Sequence, residues 1–233
     1  MLLSCKNVSF SYDGRSVLEN VNFTVYEGDY LCIVGENGAG KSTLIKGLLN
    51  LKKPQTGAII KEPGLKKTDV GYLPQQTAVQ RDFPATVYEV VESGRLNTLG
   101  FRFFYGKEDN KCVLACMEKM GILKLQHKCY RELSGGQQRR VMLARALASM
   151  KKILVMDEPA AGLDPIASKE MYELIGKLNK QDGITIIMVS HDMYMTSQYA
   201  TKILHLDGKQ LFFGTKDEYF DSKIGSQFVN YSA

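Results

Sequence analysis

Residues 30–42 read Y-L-C-I-V-G-E-N-G-A-G-K-S. Tyr30–Val34 is a short apolar run, of the kind found in a parallel strand covered on both faces. It stops at Gly35, and a helical pattern runs from Lys41 to Leu49. Between them Gly35–Ser42 matches G-x-x-x-x-G-K-[ST] at every fixed position, in the strand-then-helix context that gives this pattern its meaning. Glycines let such a loop wrap until its N–H groups converge on phosphate oxygens, and the helix start adds partial positive charge. The stretch predicts a nucleotide phosphate site. Lys41 is expected to neutralise the β- and γ-phosphates and the Ser42 hydroxyl to ligate Mg²⁺.

A phosphate loop needs a second group on the metal side. Ile153–Glu158, I-L-V-M-D-E, supplies a buried strand with two carboxylates at its C-terminal end. Nucleotides bind at that end of open α/β sheets. Asp157 is expected to hold Mg²⁺ through water, and Glu158 to polarise the attacking water as general base.

Working outward, further buried runs occur at Val70–Leu73 and Ile184–Val189, with a helical pattern over Ile166–Asn179. Alternating strands and helices predict an α/β sheet with crossovers. Residues 2–10 alternate as in an antiparallel strand, Ser11–Gly14 reads as a turn, and Ala58–Ile60 is strand-like. Lys202–Phe213 reads as a hairpin around Asp207-Gly208, followed by one short helix. From about Thr77 to Arg131 apolar strand runs give way to helical patterns at Thr86–Ser93 and Glu108–Met120, which predicts a helical insertion.

The bulk properties exclude several classes. The 233 residues are 44% hydrophobic, enough for one compact unit or two lobes sharing a core. The net charge of +5 is too mild to predict nucleic-acid binding. Short basic pairs (Lys52-Lys53, Lys66-Lys67, Arg139-Arg140, Lys151-Lys152) are expected on solvated faces. Met1–Cys5 is too short for a signal peptide, and no segment approaches the roughly 20 apolar residues of a membrane span, so a soluble chain is expected. Five scattered cysteines fit reduced thiols. Cys112, Cys116, His127 and Cys129 could be read as a metal cluster, but their spacing matches no common zinc pattern, and ordinary core thiols are the favoured reading.

One stretch stays open on its own. Glu132–Arg140 is E-L-S-G-G-Q-Q-R-R, followed by the strong helix former Val141–Ala148. Ser134 reads as an N-cap with glycines loosening the entry. The same bare N–H groups could instead grip an anion.

These motifs together resemble the ATP-binding cassette (ABC) ATPases over nearly the whole chain. L-S-G-G-Q at Leu133–Gln137 matches that family's signature motif, and the order of phosphate loop, signature and D-E pair also matches. The resemblance implies a single domain over 1–233. A RecA-like P-loop core with an antiparallel β subdomain would occupy about 1–76 and 150–233. A helical subdomain, about 77–149, would lie between the Q-loop and the signature.

It implies ATP and Mg²⁺ as cofactors, and it carries roles onto matching residues. Tyr12 in F-S-Y-D resembles the ring that stacks on adenine. Gly35, Glu36, Asn37, Gly38, Ala39, Gly40, Lys41, Ser42 and Thr43 would cradle the phosphates. Gln75 in Y-L-P-Q-Q resembles the Q-loop glutamine that touches Mg²⁺ or the attacking water and faces the membrane partner; its neighbour Gln76 is the weaker candidate. Asp164 resembles the D-loop aspartate, after alanines at 160 and 161 where a hydroxyl or asparagine is common. His191 resembles the switch histidine on the γ-phosphate.

In that family Ser134, Gly135, Gly136 and Gln137 would meet the γ-phosphate held by a second cassette. Two cassettes then sandwich two ATP. The implied partners are a second ABC ATPase subunit, favouring a homodimer, integral membrane permease subunits, and an extracytoplasmic substrate-binding protein, but no nucleic acid. The implied location is the cytoplasmic face of the membrane.

The pattern F-P-x-T-V…E-V-V…G-R within Gly71–Arg95 resembles cassettes of zinc and manganese uptake systems, as does the ending G-T-K-D-E-Y-F followed by Gly225. Phe83–Arg95 would meet the permease. T-V-x-E-V-V is also a generic amphipathic helix, so an importer of an iron chelate or another small solute is the alternative. A soluble, non-transport cassette ATPase would usually carry two cassettes or long coiled insertions, which this chain lacks. A phosphate-loop GTPase would need a guanine-reading N-K-x-D, and a kinase would have no use for L-S-G-G-Q.

Overall fold

The computed structural model describes residues 1–75 and 84–232. In chain order its elements are β1 (Leu3–Tyr12), β2 (Arg15–Val25), β3 (Tyr30–Val34), α1 (Lys41–Leu48), β4 (Thr56–Lys61), β5 (Val70–Leu73), α2 (Val87–Glu92), α3 (Lys107–Lys119), α4 (Gly135–Ser149), β6 (Ile153–Asp157), α5 (Pro165–Lys180), β7 (Thr185–Val189), α6 (Met193–Tyr199), β8 (Lys202–Leu206), β9 (Gln210–Thr215), α7 (Lys216–Asp221) and α8 (Lys223–Ser232). Contacts divide the chain into two units. One is Met1–Lys67 with Leu178–Ala233, the other Thr68–Lys177.

In the first unit β1 runs antiparallel between β2 and β4. The β1–β2 turn is Asp13-Gly14, with φ of +49° and +77°. Two left-handed residues are what a two-residue hairpin needs, and Asp-Gly supplies them cheaply. β2 escaped the sequence reading, although Leu18, Val21, Phe23 and Val25 are all buried. Polar residues between them, including the left-handed Asn20, break strict alternation.

β3 lies parallel between β7 and β8, and β9 returns antiparallel to β8. Every residue of β3 and β7 is buried, which is why both read as unbroken apolar runs. α1 buries Leu44, Ile45 and Leu48. Its Gly47 faces Phe10, whose ring occupies the space a Cβ would need. The chain end forms two helices where one was expected. α7 closes at Ser222, and the Ser222 hydroxyl donates to the Tyr219 carbonyl at 2.6 Å.

In the second unit β5 and β6 pair in parallel from Val70↔Ile153 to Leu73↔Met156. Gly71 lets α4 approach, because a Cβ there would strike the Ala146 carbonyl. The helical patterns expected before Arg131 are α2 and α3. Gln76, Thr77 and Phe83 lie outside the described residues. α2 starts with a capping box: Thr86 Oγ1 accepts the Glu89 N–H at 3.2 Å, and Glu89 accepts the Thr86 N–H at 2.8 Å. The segment entering the signature motif returns to it, with the Tyr130 N–H on the Ala85 carbonyl at 2.8 Å and the Val87 N–H on the Lys128 carbonyl at 3.0 Å.

The basic pair Arg139-Arg140 corrects the sequence reading. Arg139 is 1% exposed, not solvated. It stands four residues before Leu143 and seven before Ala146 on α4, so helical spacing puts it on the apolar face.

Asp109, near the start of α3, is buried and pins the preceding loop. It accepts the Gly106 N–H at 2.9 Å, Arg95 Nε at 3.0 Å and Arg102 Nη1 at 2.9 Å. The Gly106 N–H first, and then Arg102 and Arg95, hold its carboxyl down at about 2 against burial, which opposes them. A folded-state pKa below the unfolded value contributes stability that is full above about pH 4 and lost as pH falls toward 2. Asp109→Asn is expected to lower stability at pH 7 by on the order of 2 kcal/mol. It should also remove part of the acid sensitivity between pH 4 and 2, read by denaturant titrations at several pH values.

Candidate functional site

The phosphate loop leaves the end of β3, where Val34 pairs with His205 of β8. Gly35, Gly38 and Gly40 have φ of +143°, +87° and +93°. Gly35 needs glycine twice over, since a Cβ there would also collide with the Leu206 carbonyl. The Ala39 N–H donates to the Glu36 carbonyl at 3.2 Å, and the Gly208 N–H to the Ala39 carbonyl at 3.3 Å. The β8–β9 hairpin thus braces the loop from behind. Gly40 caps α1 from the left-handed region.

Lys41 is 6% exposed and folds over the loop, donating to the Gly35 and Glu36 carbonyls at 2.8 and 2.7 Å. Glu36, Asn37, Gly38 and Ser42 are exposed, while Thr43 is buried. Behind β3, His205 Nδ1 lies 2.9 Å from the Tyr219 hydroxyl, and burial lowers the histidine's pKa.

Other candidates in this unit are local. Tyr12, at the end of β1, is 42% exposed and carries Lys52 Nζ 3.5 Å over one face of its ring. This is a cation–π contact. His191 is exposed just past β7, in a turn where the Asp192 N–H donates to Ser190 Oγ at 3.1 Å and Asp192 caps α6 by accepting the Met195 N–H at 2.9 Å.

The second unit gathers another group. β6 ends in buried Asp157, whose charge, after burial, raises the pKa of Tyr72. Glu158 follows with φ of +50°, a left-handed conformation that costs a non-glycine residue roughly 1–3 kcal/mol. Gln75 Nε2 donates to Glu158 Oε2 at 3.0 Å. Two motifs 83 residues apart therefore meet at one carboxylate.

The capping reading of Ser134 is seen directly in the structure. Ser134 caps α4, its Oγ accepting the Gln137 N–H at 3.3 Å and Gln137 Oε1 accepting the Ser134 N–H at 3.2 Å. The cap leaves the glycines beside a cleft of about 460 Å³, lined also by Arg140, Gly162 and Asp164. Among the described residues, a Cβ at Gly135 or Gly136 would meet no atom nearer than 3.5 Å. Asp164 caps α5 by accepting the Ile166 and Ala167 N–H groups at 3.1 and 2.9 Å. That role was not foreseen from sequence, although Asp-Pro before an apolar helical pattern is a start signal.

The contacts of Arg139 were likewise not foreseen; its guanidinium reaches the carbonyls around Glu158. The cysteines are free. Cys112 and Cys116, one helical turn apart on α3, share a side-chain hydrogen bond that lowers the Cys112 pKa and raises that of Cys116. Among the described residues no three His, Cys, Asp or Glu side chains gather as a metal site.

Comparison with known proteins gives a concordant result. The family model described as ABC transporter matches residues 18–161. One described as an AAA domain, putative AbiEii toxin, Type IV TA system, matches 126–197. The zinc uptake system ATP-binding protein ZurA of Listeria innocua is 35% identical over 94% of this chain and 87% of its own. The zinc transport system ATP-binding protein AdcC of Streptococcus pneumoniae is 36% identical over 88% and 89%. Among solved structures, cbiO1 of Clostridium perfringens, part of the ABC transporter complex cbiONQ, matches at TM-score 0.82 and 30% identity over 99% and 94% of the chains. The dimeric post-hydrolysis state of the ATP-binding cassette MJ0796 with ADP and Pi matches at 0.73 and 30% over 92% and 98%.

Gly35→Ala is expected to disrupt the phosphate loop, because backbone strain and the clash with the Leu206 carbonyl coincide. A stability loss of about 2 kcal/mol or more should appear in thermal unfolding, with at least tenfold weaker binding of a fluorescent ATP analogue.

Proposed function

The chain belongs to the ABC transporter family, and from that premise we propose that it is the ATP-hydrolysing subunit of an uptake system for a divalent metal ion, zinc or manganese. Its α/β fold is that of the RecA-like P-loop cassettes, and it is an ATPase. The zinc reading is supported by relatives named for zinc uptake that align over most of both chains. The F-P-x-T-V and G-T-K-D-E stretches support it less, because Thr86–Glu89 and Thr215–Glu218 are both helix capping boxes with a local reason to exist.

One observation carries the hydrolytic assignment: the Gln75–Glu158 hydrogen bond beyond a buried strand that ends in Asp157. In this reading Glu158 is the general base and takes a proton from the attacking water, while Gln75 orients its carboxylate. Lys41 exchanges the Gly35 and Glu36 carbonyls for phosphate oxygens. The loop residues Gly35–Thr43 supply N–H groups, His191 contacts the γ-phosphate, and Tyr12 offers the ring face not covered by Lys52 to adenine.

Ser42, Asp157 and Gln75 present hydroxyl, carboxylate and amide oxygens, the donor set a hard divalent cation takes, and would hold Mg²⁺. When bound, Mg²⁺ neutralises charge on the phosphates. Ser134, Gly135, Gly136 and Gln137, with Asp164 beside them, complete the site of a second copy of this chain. Permease subunits and an extracytoplasmic binding protein complete the transporter, with this subunit on the cytoplasmic face.

Two experiments test the reading. Purified Glu158→Gln is expected to be monomeric without nucleotide and dimeric with Mg-ATP by light scattering, with hydrolysis reduced at least about 100-fold. Adding Gly136→Asp should leave ATP binding by the monomer intact but abolish the dimer, by setting a carboxylate against the partner's γ-phosphate. Wild-type turnover by Glu158→Gln would remove the base assignment, and a normal dimer of the double variant would remove the role across the interface. In a host lacking this chain, uptake of labelled zinc or manganese should fall and return with the wild-type chain but not with Glu158→Gln. Uptake of both ions unaffected by the deletion would overturn the metal reading.

A further inference from the structure

Arg139 is a buried cation in the middle of the second unit, and its donors converge on the backbone that presents Gln75 and Glu158. Nε donates to the Pro159 carbonyl at 2.6 Å and Nη2 to the Glu158 carbonyl at 2.6 Å. Nη1 reaches the Pro74 carbonyl at 3.4 Å. These carbonyls bracket the Gln75–Glu158 hydrogen bond on both strands: Pro74 immediately before Gln75, and residues 158 and 159 at and after the carboxylate. We propose that Arg139 is a positioning residue for ATP hydrolysis, holding Glu158 in its left-handed backbone conformation and its carboxylate in register with Gln75. This rests on the reading of Glu158 as general base.

Three physical links tie Arg139 to this role. A left-handed glutamate is sparsely populated in an unconstrained chain and persists only where its surroundings over-determine it. Two successive carbonyls facing the same way repel each other, and a guanidinium is the side chain whose planar fork can answer both at once. Arg139 is therefore matched to the conformation Glu158 adopts. A lysine at this position would keep the charge but lose the fork.

The third link is the helix. Arg139 lies one turn beyond Gly135, whose end of α4 opens on the 460 Å³ cleft. A helical turn moves as a rigid piece, so the Arg139 Cα follows any shift of that helix end, and the clamp carries it to residues 158 and 159. Arg139 thus joins the anion-binding end of α4 to the carboxylate proposed to activate water in the same chain.

The test compares steady-state hydrolysis by Arg139→Gln, Arg139→Lys and Glu158→Gln with the wild type, alongside ATP-dependent dimerisation and thermal unfolding. For Arg139→Gln a fall in kcat of about 10- to 100-fold is expected, with KM for ATP within about twofold. Arg139→Lys should stay at least about fivefold below wild type, because charge without the fork does not hold both carbonyls. In the Glu158→Gln background Arg139→Gln should cost nothing further in hydrolysis and leave the ATP-bound dimer in place, since both changes act on one group.

If Arg139→Gln is insoluble, Arg139→Lys is the variant read, by the same kcat and KM criteria. A kcat within twofold of wild type in the folded variant would overturn the proposal, as would a parallel loss of ATP affinity and dimerisation. An inactive Glu158→Gln beside an active Arg139→Gln would sink the positioning role alone. An active Glu158→Gln would sink the base assignment first.

Discussion

The phosphate loop depends on a close approach. Gly35 lies so near the Leu206 carbonyl that no side chain fits between them, and its φ of +143° excludes other residues on conformational grounds as well. That contact requires β8 to lie beside β3, and the unbroken apolar run of β3 together with the buried Ile203, Leu204 and Leu206 of β8 pairs the two strands in parallel within the sheet. The loop that follows is then shaped by backbone groups and by Lys41 folding over its carbonyls. A cation resting on neutral carbonyls at 2.7–2.8 Å keeps its charge in place for an anion without losing its own hydrogen bonds.

The second unit solves a different problem, which is to hold a left-handed glutamate backbone at the end of a buried strand. Glu158 follows a strand whose five residues are all buried, then turns through a left-handed conformation. Its side chain is met by Gln75 and its carbonyl by Arg139, which come from elements far apart in sequence. Neither contact alone explains the geometry. Together they leave the backbone little freedom, as expected where strain persists in a folded chain. The nearby helix ends are each closed by their own caps, Ser134 for α4 and Asp164 for α5, so the cleft between these starts is rimmed by organised backbone.

Those caps bear on how far motif resemblance can be pressed. Thr86 with Glu89 and Thr215 with Glu218 are reciprocal capping boxes, and Gly225 packs where a Cβ would strike the Tyr219 carbonyl. Each lies in a stretch that resembles metal-uptake cassettes, yet each has a purely local physical reason. The substrate reading therefore draws its weight from whole-chain relatives and not from these residues.

The amino-acid sequence alone determined the strand–loop–helix at residues 30–48, the carboxylates after Ile153–Met156, the helical stretches at α2 and α3, and the family. These signals are local: apolar run length, helical spacing, glycines at fixed offsets. It did not reveal β2, whose alternation is broken by Asn20 and its polar neighbours, nor the burial of Arg139, which two adjacent arginines disguise as a solvated pair. Only the tertiary structure decided that Gln75 meets Glu158 across 83 residues, that Arg139 turns inward to backbone carbonyls, and that Leu206 stands against Gly35. Each of these is a contact between distant segments. The Arg139 contacts satisfy buried polar groups and the Gly35 contact is one of close packing, and no spacing along the chain encodes any of the three.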